Sequence, residues 1–320
     1  MRWSRAFLAV VLLAGCASAP RPVVSPAGRF GFHDAFWVNL HHFLYVAARA
    51  ELNTPDSNRE AVEPVRREAT QLPDADRKAW QAAIDDYKNG IGKQDILFDD
   101  ALVDLTNEIA AQESNETLTL RDEALARVLR DAAPIYRRVW WPSHRAANEA
   151  WIAAAQPLLR QHESAMAARM TELLGVRWPE RPIRVDVSFY SNWAGAYTTH
   201  HPSPRVTASP DPAYQGSSAL EILFHEPLHA VDMTLIDELY AEARATGKKL
   251  PRTLAHGIIF YTAGAETRRR IPGHVPIADA GNIWPRGMAE AKRVLDKHWP
   301  SYLDGQITRQ EVVKRIVGEF

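Results

Sequence analysis

The chain has 320 residues, enough for one large domain or two modest ones, with 38 basic and 39 acidic side chains and a single cysteine. So even a balance gives no electrostatic footprint for nucleic acid or an anionic bilayer, and one cysteine rules out a disulfide framework. Glycine and proline are dispersed and no repeat or biased block is visible, so the composition is that of an ordinary folded protein.

The first residues have a different texture from the rest. Arg2 and Arg5 precede the apolar run of residues 6–13, which is too short to span a bilayer and has the layout of an export signal. The run closes on Leu13-Ala14-Gly15-Cys16, which resembles the bacterial lipobox. That resemblance implies removal of residues 1–15, acylation of Cys16, attachment to a lipid bilayer and residence in the bacterial cell envelope. Ala17 after the cysteine resembles the signal for the periplasmic face of the outer membrane. Residues 16–28 then serve as a tether, extended by Pro20 and Pro22.

Residues 29–175 read as a helical region. Phe36, Leu40, Phe43, Leu44 and Ala47 recur at three- and four-residue spacing, predicting a helix that ends near Asn53. Further helices are predicted over 60–69, 74–88, 95–112, 120–132 and 143–174, the last with a bend at Pro157 and a stop at Gly175. His33, Trp37, His41 and Tyr45, with His42 adjoining, are four apart on the first of these helices; helix packing accounts for them better than a second metal site.

Residues 176–320 read as a separate catalytic region, or as one compact unit with the first. Apolar and polar residues alternate over 183–189, predicting a half-buried strand, and 196–199 and 205–208 are two more. Either 194–199 or 205–208 is a candidate edge for holding an extended peptide. A helix follows, with Ser218 and Glu221 in capping-box spacing, and the pattern lets it run to Gly247. The fold class expected is α+β, mainly α, with a small sheet.

That helix carries His225, Glu226 and His229. Two histidines four apart share one helix face, so both imidazoles reach one cation, and Glu226 is placed to take a proton from an attacking water. Pro227 lies inside the motif and removes a backbone donor, which predicts a kink without moving the histidines to different faces. A catalytic zinc needs a third protein ligand. If the helix doubles back after Gly247 into a second one beginning near Pro251, the position level with His229 falls near residue 267. Glu266 is there; His256 competes on the same helix but stands about 15 Å along the axis from the metal on this geometry. Tyr197, His200, His201, His256 and Tyr261 are candidates for steadying a developing oxyanion, and Asp232 is an equal candidate for a bond to a ligand histidine or for solvent.

His225-Glu226-Pro227-Leu228-His229 followed by a glutamate on the next helix resembles the zincin metallopeptidases in their gluzincin arrangement, over residues 183–270 or so. The glycine and third histidine of the metzincin continuation are missing after His229. The resemblance implies a Zn2+ cofactor held by His225, His229 and Glu266, with Glu226 as general base, and a peptide or protein substrate. A zincin-like protein that binds a peptide without cutting it, and a zinc hydrolase of a non-peptide amide, remain open from the residues alone.

Overall fold

The computed structural model describes residues 28–52, 59–112, 114–192, 194–199 and 203–320. The export signal, Cys16 and the tether up to residue 27 lie outside the described residues, as do His200 and His201.

The architecture is mainly helical with one small mixed sheet. Strand β1 (Phe30–His33) opens it, followed by α1 (Phe36–Leu52), α2 (Arg59–Ala69), α3 (Asp74–Asn89), α4 (Asp100–Ala110), α5 (Glu123–Val139) and α6 (Trp141–Leu174). Gly175 stops α6 in the left-handed conformation at φ 68°, as its position after the last apolar turn predicts. Strands β2 (Ile183–Val187), β3 (Ala196–Thr199) and β4 (Arg205–Ala208) come next, then α7 (Ser217–His225), α8 (Thr234–Thr246), α9 (Leu254–Arg270), α10 (Ile277–Ala280), α11 (Ala289–Leu303) and α12 (Arg309–Gly318).

Strand β1 corrects the reading of the first half as all helix. Phe30 and Phe32 alternate with Gly31 and His33, and both rings are buried against the core that also holds Trp151 and Phe224. The strand pairs in parallel with β2, Phe30 opposite Ile183, so its partner lies some 150 residues away and two alternating rings are too short a pattern to announce it. The sheet order is β1-β2-β4-β3, with β2 parallel to β4 and β3 antiparallel to β4. Since β4 is paired on both sides, 205–208 cannot serve as an edge, and among the described residues β3 has a strand on one side alone.

The sheet separates two cores. One joins α6 to α12 and the strands; the other gathers α1 to α5 around Phe43, Trp80 and Tyr136. Tyr197 of β3 points into the second core, where its hydroxyl lies 2.7 Å from His42 Nε2. The histidines of α1 are packing residues: His42 Nδ1 meets the Val38 carbonyl at 2.7 Å, and His41 Nδ1 meets the Tyr87 hydroxyl at 3.0 Å. On α6, His144 Nδ1 lies 3.0 Å from the Tyr136 hydroxyl and the ring stacks on Phe189.

These buried imidazoles make the fold acid-sensitive. Burial lowers the pKa of His42 to about 4 and of His144 to about 3, and drives His41 well below its ordinary value. A folded pKa below the unfolded one leaves stability complete above about pH 6.5, and it is lost as pH falls from there towards the folded value. Going from pH 7 to 5 therefore costs about 2 kcal/mol per histidine as an upper bound. Urea midpoints at the two pH values check this, and Phe replacing His144 should shrink the difference.

Candidate metal centre

Helix α7 ends at His225, and Glu226–His229 continue as a single tighter 3-10 turn. Pro227 is the physical cause: it has no N–H to donate and its ring crowds the preceding turn, so the α-helical ladder stops in front of it. The chain then breaks through Ala230–Met233 before α8 begins, with the Ala230 N–H donating to the Pro227 carbonyl at 3.0 Å. Ser218 and Glu221 do not form the predicted capping box. Gly216 stands at the N-cap, and Glu221 turns inward to His274 and the Ile277 N–H.

The break removes the premise of the hairpin argument. The motif helix and α8 are two elements, and α9 packs directly on α7. The first turn of α9 thus comes alongside the motif, and His256 with it. Ring centroids of His256 lie 5.4 Å from His225 and 4.8 Å from His229, and those of His225 and His229 are 5.0 Å apart. Phe260, one turn on, stacks on His256 and packs on His225, fixing the orientation of both rings.

Glu266 is not brought to this cluster. Ten residues from His256, about 15 Å along α9, it is fully buried at the far end of the helix. Arg270 Nη1 donates to its Oε2 at 2.7 Å, and Arg169 Nε and Arg269 Nε approach its Oε1 at 3.4 and 3.5 Å. Arg270 also donates to the Ala165 carbonyl and Arg169 to the Leu303 carbonyl, so the carboxylate fastens α9 to α6 and to the end of α11. Of the run of arginines after it, Arg269 and Arg270 take part in this fastening. His256, not Glu266, lies level with His229, because the chain turns at Ala230–Met233 before α8 begins.

Can the three histidines hold a cation? One ligand atom from each of His225, His229 and His256 can be chosen so that all lie within 4.8 Å of one another. Nε2 of His225 and Nε2 of His229 are 3.1 Å apart. Two nitrogens on one tetrahedral zinc, each about 2.05 Å from it, stand about 3.3 Å apart. Bringing in the third takes about 1.5 Å, the scale of a side-chain rotation. Burial first, and the neighbouring histidines second, hold His225 well below its usual pKa and lower that of His229, the most exposed residue of the three; burial lowers His256 to about 4. All three are neutral at pH 7 and present lone pairs, and the buried Nδ1 of His225 has no hydrogen-bond partner among the described residues. The donor set fits zinc.

Glu226, next to His225 in the chain, is buried, and burial raises its pKa to about 7 against the opposing effect of Thr198. The Thr198 hydroxyl lies 2.9 Å from Glu226 Oε2 and 2.7 Å from the Glu226 backbone carbonyl. Successive side chains of a strand point to opposite faces, so Thr198 reaches the motif while Tyr197 turns away into the other core. Tyr197 is thereby removed from the site, and Thr198 is the residue that sequence reasoning passed over. Period-two alternation of β3 was the available signal. Tyr261 lies beside Lys292 and Trp284, and Asp232 is exposed. Trp140, Trp141 and Trp284 are buried.

Comparison with family models, with curated proteins and with solved structures finds no match for the chain. What can be said of its chemistry rests on the geometry of His225, His229, His256 and Glu226.

Proposed function

We propose that the protein is a zinc-dependent metallopeptidase of the bacterial cell envelope, anchored to the bilayer through acylated Cys16. The observation that carries the reading is the convergence of His225, His229 and His256 beside a buried carboxylate, Glu226, that is not itself one of the converging ligands.

His225, His229 and His256 would hold the ion, and zinc when bound supplies a Lewis acid. The rest falls to the chain. Glu226 accepts a proton from the attacking water and delivers it to the departing amine nitrogen, a task suited to a group with a pKa near the working pH. A bound dication pulls that pKa down and so opposes the effect of burial. Thr198 fixes the carboxylate by its hydrogen bond, sparing the reaction the cost of ordering it. Strand β3, which ends the sheet among the described residues, carries Thr198 against Glu226; an extended peptide pairing its backbone with this strand would bring a scissile bond past the carboxylate.

The direct test measures zinc content and cleavage of a mixed peptide library by the full chain, before and after chelation. One zinc per chain and cleavage restored by added zinc support the reading; a folded protein that binds no zinc sinks it. Thr198→Val gives a finer check. Without the hydroxyl, the hydrogen bond that lowers the pKa of Glu226 is gone, so the acid limb of the pH–rate profile should move upward. kcat should fall about tenfold with KM little changed.

A further inference from the structure

The opposite end of α7 carries a second chemically competent group of side chains. The Ser217 hydroxyl lies 2.8 Å from His274 Nδ1, and His274 Nε2 lies 2.6 Å from Glu221 Oε2. Glu221 is fully buried, the His274 side chain is 1 % exposed, and Ser217 is partly open to solvent. The order runs from a buried carboxylate through an imidazole to a reachable hydroxyl.

The partners of Glu221 settle the proton positions. Its two oxygens also receive the Ile277 N–H at 3.2 and 3.0 Å, so the carboxylate is surrounded by donors and the His274 proton belongs on Nε2. Nδ1 is then a lone pair facing the serine hydroxyl. A nucleophile hydrogen-bonded to a base that is oriented by a third group is the arrangement that activates serine for covalent catalysis. The local backbone supports it: Gly216 takes φ 57°, ψ −129°, a turn that places Ser217 at the head of α7. A Cβ built at Gly216 meets nothing within 4 Å among the described residues, so the turn in front of the partly exposed serine is uncrowded. Ser217 stands eight residues from His225, about 12 Å along the helix. None of the three residues has a place in the zinc chemistry.

We propose that Ser217, His274 and Glu221 form a second hydrolytic site that takes the acyl group of a carboxylic ester. Ser217 Oγ attacks the carbonyl carbon and its proton passes to His274 Nδ1. The C–O bond to the leaving alcohol breaks, and that alcohol carries the proton away. Water then attacks the acyl-serine, His274 takes its proton and returns it to Ser217 Oγ, and the acid leaves. The sum is ester plus water to acid plus alcohol. Glu221 is a positioning residue, acting through the imidazole.

The test treats the full, zinc-loaded chain with a fluorophosphonate, which traps an activated serine as a phosphonyl ester with loss of fluoride, and maps the adduct by peptide mass spectrometry. The adduct is expected on Ser217 and absent in Ser217→Ala. His274→Gln should slow labelling at least about 100-fold. Glu221→Gln should slow it as well, and Glu221→Asp, which keeps a carboxylate, should recover part of the loss. Near-UV circular dichroism separates a disabled relay from an unfolded chain. No adduct on Ser217 of the folded wild type, labelling no faster than at the neighbouring Ser218, or a rate indifferent to His274→Gln overturns the proposal. Zinc content and peptide cleavage are read separately, so either reading can fail alone.

Discussion

Glu226→Gln should keep its zinc and lose at least about a thousandfold in kcat, with KM little changed. The substitution is isosteric, and Glu226 lies outside the set of converging nitrogens, so the metal has no reason to leave. The Thr198 hydroxyl keeps its proton on the residue 226 carbonyl, and the amide N–H of the new side chain donates to the hydroxyl oxygen. What disappears is the buried carboxylate adjoining His225 in the chain, which can accept a proton and give it back. Zinc stoichiometry and turnover must be measured on the same sample. Full activity in that variant would sink the general-base role, whereas loss of zinc along with activity would mean that residue 226 supports the ligand set and not the chemistry alone.

How far the sequence reaches is best seen at the motif itself. The spacing of His225 and His229 is legible because four residues make about one turn in an α-helix, and a 3-10 turn in place of part of it still leaves both rings on one side. Pro227 announced a kink; the structure turns the kink into an end. That difference looks small locally and is large at a distance, because the direction of every later element depends on it. With the helix unbroken to Gly247, Glu266 stands opposite His229; with the break at Ala230–Met233, His256 does. Periodicity reports which face of a helix is buried but not where the helix ends in space. Strand β1 was out of reach for a related reason. Four residues, Phe30–His33, gain their hydrogen bonds from β2 far along the chain, and only that pairing distinguishes them from the start of α1. By contrast, β2 alternates apolar and polar residues over all five of its positions, and Gly175 and Gly247 end α6 and α8 with positive φ.

The ligand question has a decisive pair of variants, since His256 and Glu266 share one helix and differ in everything else. His256→Ala should cost zinc affinity at least about 100-fold. It removes one of three donors, and the vacancy lies among His225, His229 and Phe260, none of which can supply a replacement. Its effect on the stability of the metal-free chain should be small, because the ring is part-exposed and lowered in pKa by burial and holds no buried ion pair. Glu266→Ala should do the reverse. The carboxylate is wholly enclosed, and its loss takes from Arg270, 15 % exposed, its carboxylate partner, while Arg169 keeps Glu172 at 2.7 Å. Removing one partner of a buried pair typically costs about 3–5 kcal/mol, and the lower end applies because both guanidinium groups keep a carbonyl acceptor, Leu303 for Arg169 and Ala165 for Arg270. Zinc titration and urea unfolding of the two proteins therefore give opposite patterns: weak metal with a firm fold for His256→Ala, firm metal with a weakened fold for Glu266→Ala. A Glu266→Ala protein that is stable but no longer binds zinc would restore the glutamate as third ligand. It would also require α9 to slide by almost three turns along α7, which the packing of Phe260 between His225 and His256 opposes.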